Sequence, residues 1–87
     1  MTREECVHAS GEEKLLFADG YDEAIIGVAQ RGPSEWFVVY DTDQVLKILQ
    51  DRDGMSYLDA LEFFDFNIVG AWVGPKTPAF VVTQATL

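Results

Sequence analysis

Trp36-Phe37-Val38-Val39-Tyr40-Asp41-Thr42-Asp43-Gln44-Val45-Leu46-Lys47-Ile48-Leu49 decides the fold, because the spacing of its apolar residues changes partway along. Residues 36–40 are apolar on both parities, as in a strand covered on two faces or central in a sheet. From Val45 onward, the apolar positions 45, 46, 48 and 49 fall on one stripe of a helix. Asp41, Thr42 and Asp43 offer side-chain oxygens to the free amides of a first helical turn, and Asp53-Gly54 supplies the stop. A strand therefore runs into a helix with almost no loop.

Toward the C-terminus, Ser56-x-x-Asp59 has the form of a capping box with Asp in place of Glu. It predicts a second short helix through Leu58, Leu61, Phe63 and Phe64 to about Phe66. Residues 68–73 then read as a strand, residues 74–78 as a turn with Gly74 and Pro75, and residues 79–83 as a last strand. Toward the N-terminus, residues 24–30 read as a strand in which Gly27 marks a bulge or a close approach, and residues 15–18 as a shorter one ended by Asp19-Gly20. Residues 1–13 are polar and read as a flexible arm, leaving residues 14–87 as one domain. The expected architecture is α+β: a mostly antiparallel sheet of four to five strands, with two short helices inserted between strand pairs (ββ-αα-ββ) and packed on one face.

The chain has 87 residues, enough for one modest core and too few for a second lobe around a deep cleft. Six Phe, three Tyr and two Trp make it too apolar for a disordered acidic tail. Fifteen acidic residues stand against six basic ones, a formal charge of −9. All fifteen lie at or before Asp65 with five basic residues, so that part carries −10 and the remainder only Lys76. Acidic surfaces repel phosphate backbones, so direct contact with nucleic acid or an anionic membrane is not expected. One cysteine cannot form an internal disulfide, and the chain opens without an apolar leader, so a cytoplasmic location is expected.

Candidate chemistry is sparse. Cys6 and His8 sit two residues apart in the polar arm, where neither is held in place for nucleophilic catalysis. Asp51-Arg52-Asp53-Gly54 resembles the middle of an EF-hand loop, but Leu49 and Ala60 occupy its first and last ligand positions. Asp41-x-Asp43 pairs two carboxylates at a strand end, which helix capping explains more cheaply than metal binding does. Glycines occur singly, so no phosphate-binding loop forms. No enzyme, metal or cofactor is expected.

The aromatics are expected to fill the core, with one of Phe63, Phe64 and Phe66 left over because adjacent helical positions point about 100° apart. The two helices carry the more specific signal. Asp59, Glu62 and Asp65 lie within about 120° on a helical wheel, and Asp43, Asp51 and Asp53 belong to the preceding helix with Lys47. These six carboxylates form either a solvated face or a surface that presents charge in the manner of DNA phosphates.

Several stretches carry a resemblance: Phe17-Ala18-Asp19-Gly20-Tyr21-Asp22-Glu23-Ala24-Ile25-Ile26-Gly27, Val39-Tyr40-Asp41, Arg52-Asp53-Gly54-Met55-Ser56-Tyr57, Glu62-Phe63-Phe64-Asp65-Phe66-Asn67, Gly70-Ala71-Trp72-Val73-Gly74 and Thr77-Pro78-x-Phe80. Together they look like an uncharacterised family of small proteins encoded by tailed bacteriophages and prophages, over residues 15–82. The resemblance implies no catalytic residues. It implies a small acidic phage protein that binds a host or defence protein stoichiometrically through a basic surface, as anti-CRISPR and anti-restriction inhibitors do. The alternative is a non-enzymatic structural or assembly accessory, with a homodimer formed through the surplus Phe and the C-terminal strand.

Overall fold

The computed structural model describes residues 1–83. In chain order the elements are α1 (Arg3–Ser10), a 3-10 turn (Asp22–Ala24), β1 (Ile25–Gly32), β2 (Glu35–Asp41), α2 (Thr42–Asp53), α3 (Tyr57–Phe63), a π-helical continuation of α3 (Phe64–Val69) and β3 (Ala79–Val81). The expected end of the domain, residues 84–87, lies outside the described residues.

Strand gives way to helix at Asp41, where the apolar spacing changes. Val38 and Tyr40 of β2 are buried on one parity, while Phe37 and Val39 on the other are half-covered. Val45, Leu46 and Leu49 bring α2 onto the same core. The helix stops at Gly54, whose φ of 70° is the left-handed conformation that glycine adopts without a Cβ clash.

The sheet differs from expectation. Among the described residues it is a three-stranded mixed sheet in the order β1-β2-β3, with β1 antiparallel to β2 and β3 parallel to it, in place of four to five mostly antiparallel strands. The ββ-αα-ββ layout fails for two reasons. Residues 15–18 form no ladder; their backbone is held instead by a side chain, the Ala18 N–H donating to the Tyr40 hydroxyl at 2.8 Å. Residues 68–73 form no strand, because the helix that starts at Tyr57 persists to Val69. Without that strand the described residues form no C-terminal hairpin. Helix and loop return the chain so that β3 pairs with β2 in parallel, as a crossover connection permits. The register shift between Ile25 and Gly27 matches the bulge expected at Gly27.

The expected flexible arm also requires correction. Residues 3–10 form a helix with a complete capping box: the Thr2 hydroxyl accepts from the Glu5 amide at 3.1 Å, and the Glu5 carboxylate accepts from the Thr2 amide at 2.9 Å. Cys6 is fully buried in the main core. Arg3 anchors the helix from outside, donating from Nε to the Asp22 carboxylate and from Nη2 to Asp19 at 3.0 Å, with its guanidinium over the Phe17 ring. One buried side chain and one ion-paired cation thus hold a helix that composition disguises.

Phe80 completes the core. Its ring stacks on Tyr40 at 5.4 Å between centroids and meets Phe64 edge-on at 5.3 Å, joining β3, β2 and the π-helical turns.

Candidate functional site

Asp43, Asp51 and Asp53 are exposed on α2 because Val45, Leu46 and Leu49 turn its other side inward. They are not equally available. Both Asp53 oxygens accept from Arg52, from Nε at 3.0 Å and Nη2 at 3.1 Å, and this pairing holds the Asp53 carboxyl below the usual range. The same guanidinium donates to the Gly20 carbonyl at 2.7 Å and lies over the Tyr21 ring. Gly20 has φ of +96°, and a Cβ there would come within 3.1 Å of Arg52 Nη1. Asp53 therefore helps to fasten the end of α2 to the turn before β1. Asp51 borders a shallow depression of about 500 Å³ together with Lys47, Arg52 and Glu23, where charges of both signs meet. Asp43 stands in the first turn of α2, a position that favours negative charge through the helix dipole.

Asp59, Glu62 and Asp65 form a different set. Ser56 Oγ accepts from the Asp59 amide at 3.1 Å and starts α3, which is half of the expected capping box. Ala60 and Phe64 are the buried residues of the thirteen from 57 to 69, with Leu61 and Ile68 half-buried. The three carboxylates are exposed, and among the described residues none makes an ion pair. Three of the cations are already used: Arg3 on Asp19 and Asp22, Arg52 on Asp53, and Lys76 on Glu12.

Apolar residues lie exposed among these carboxylates. Phe64 is buried, whereas Phe63 is 37% and Phe66 77% exposed, so two of the three phenylalanines, and not one, lie outside the core. Leu58 on α3 is 74% exposed. Trp72, expected in the core, is 67% exposed. The reason is the loss of the strand at residues 68–73. Val69 ends the helix, and Gly70 allows the exit, since a Cβ there would meet the Asp65 and Phe66 carbonyl oxygens at 3.2 and 3.3 Å. Trp72 then sits in a loop outside the sheet, with the Arg31 guanidinium over its ring at 5.8 Å.

Val69, Trp72 and Val82 border one open groove of about 480 Å³ between the π-helical turns and β3, with Leu61 and Ala79 in its walls and Asp65 on its edge. Spacing within each element does not bring Trp72 to Val82. Only the docking of β3 does.

Cys6 and His8 do not form a catalytic pair. Two residues apart on α1, they face opposite sides: Cys6 is buried and His8 exposed. Burial also pushes the Cys6 thiol above its usual range, away from the reactive thiolate. Asp41 is 7% exposed and makes no capping bond to α2; its Oδ1 instead accepts from the Thr83 hydroxyl at 3.0 Å. Among the described residues no group of three or more His, Cys, Asp or Glu is placed to hold a metal ion. Among them, too, no helix is long and apolar enough to cross a membrane. No family model matches this chain, no curated protein matches its sequence, and no solved structure matches its fold.

Proposed function

We propose that this chain is a small acidic phage protein that acts stoichiometrically, by binding a basic surface on a host or defence protein in the bacterial cytoplasm. Inhibition of the anti-CRISPR or anti-restriction kind is the form of action that such a surface serves, with carboxylates occupying a groove built for phosphates. One observation carries this reading: Asp59, Glu62 and Asp65 project from one continuous helical stretch, and none of them makes an ion pair among the described residues. Exposed carboxylates without an ion pair among the described residues can pair with cations of another protein.

The test is capture from bacterial lysate by the immobilised protein at low and high salt, beside the triple variant Asp59→Lys, Glu62→Lys, Asp65→Lys. A partner retained in stoichiometric amount should be lost at high salt and lost to the variant, whose circular dichroism should be unchanged. Undiminished capture by the variant overturns the proposal.

A second reading, a structural or assembly accessory that self-associates, is favoured by the exposure of Phe66 and Trp72. Light scattering across a wide concentration range checks it. A strict monomer removes it.

A further inference from the structure

We propose that the groove between the π-helical turns and β3 is a docking site for a cationic protein segment carrying apolar anchor residues. The site rests on the acidic-surface reading above and deepens it, by moving recognition from carboxylates alone to a mixed face. Three observations lead to this occupant.

The first is the apolar lining. Trp72 and Val82 are 67% and 68% exposed and border the same groove as Val69. Large apolar side chains grouped this way lose contact with water only if something covers them.

The second is charge. Asp65 stands on the edge of the groove, and Glu62 lies one helical turn before Phe66, both exposed and without an ion pair among the described residues. A purely apolar partner would leave these carboxylates partly desolvated and unpaired. A segment with Lys or Arg flanking Leu or aromatic residues meets both needs.

The third weighs against the competing occupants. Two copies joined through this face would bring the carboxylates of both into one interface, and the groove itself is lined by Asp65 and no basic side chain that could pair with them. Nucleic acid is repelled by the same residues. Two of the α2 carboxylates are engaged elsewhere: Asp53 is bound to Arg52, and Asp51 shares its surroundings with Lys47. The π-helical turns matter because they carry Asp65 and Val69 to the groove and end the helix at Gly70, which releases Trp72.

The experiment compares two probes by titration against the full chain labelled for NMR: a helical peptide of alternating Leu and Lys clusters, and an oligolysine of equal charge. The amphipathic peptide should bind at least about tenfold more tightly, with shifts concentrated at Val69, Trp72 and Val82. Trp72→Ala should remove that margin and leave oligolysine binding unchanged. Val82→Glu serves as a second variant, and spectra of both check folding. Equal binding of the two probes, or a margin that survives both variants, overturns the groove while leaving the acidic surface standing. Binding of neither probe overturns both. If light scattering shows a dimer that Trp72→Ala dissociates, the occupant is a second copy and the proposal fails.

Discussion

The Tyr40 hydroxyl accepts a hydrogen bond from the Ala18 amide at 2.8 Å, although the two residues are 22 positions apart. Tyr40 is fully buried, and its ring stacks on Phe80. One phenol thus holds a segment that has no strand partner while its ring packs β3 against β2. Tyr40→Phe keeps the ring and removes the acceptor, leaving a part-buried N–H unpaired. The expected loss is about 1–3 kcal/mol of unfolding free energy, read from urea denaturation. Residues 15–18 should also gain amide exchange ahead of the rest. No change in midpoint would mean that water satisfies the Ala18 amide.

Thr83 and Asp41, the residue after Tyr40, form a second tie at the same end of β2. The Thr83 hydroxyl donates to a carboxylate that is 7% exposed, where β3 lies parallel to β2 with only three residue pairs. So short a pairing depends on contacts beyond its ladder. Thr83→Val should cost about 1–2 kcal/mol, and Thr83→Ser, which keeps the hydroxyl, should recover most of it. Equal losses in both variants would show that the methyl group matters and the hydrogen bond does not.

The parts of this fold legible in the sequence are those governed by near neighbours. The change of period at Asp41, the stop at Gly54 and the start at Ser56 each follow from a few adjacent residues, and so does the bulge near Gly27. Residues 68–73 were ambiguous in principle, since a short apolar run fits a strand or a helix equally well. Continuation of the helix through π turns and the close approach at Gly70 decide between them, and neither leaves a periodic signature. The parallel pairing of β3 is a long-range choice. Helix α1 was hidden because its one fully buried residue is a cysteine, although Thr2-x-x-Glu5 is a complete capping box in plain view. At the candidate site Asp59, Glu62 and Asp65 were legible as a helix face. The groove was not, because it needs Trp72 and Val82 brought together by β3.

Cys6 reports directly on whether α1 is docked. The thiol is buried, and burial also raises its pKa, so both access and thiolate fraction are low. Labelling of the native protein by a disulfide reagent near neutral pH should be at least about a hundredfold slower than labelling of the urea-unfolded chain. Rapid native labelling would show that α1 opens readily. A variant lacking the Arg3 anchor, Arg3→Ala, should label faster than the parent, since its bonds to Asp19 and Asp22 fasten the helix end.

Glu12 gives a pH-dependent contribution whose sign follows from its partners. The Lys14 amide donates to Oε1 at 3.2 Å and Lys76 Nζ lies 3.3 Å from Oε2, and these hold the carboxyl below its ordinary 4.5. A carboxyl lowered on folding stabilises the native state fully above its unfolded pKa, and that contribution is lost as the pH falls through the folded value. The melting temperature of Glu12→Gln should therefore lie below that of the parent at neutral pH, and the gap should close as the pH is lowered beneath 4.5. Titration of the other carboxylates is common to both proteins and largely cancels from the difference. Added salt separates the two causes, because it screens the Lys76 pair far more than the backbone bond. Part of the gap should thus survive high salt at neutral pH, and its complete disappearance would assign the whole effect to Lys76.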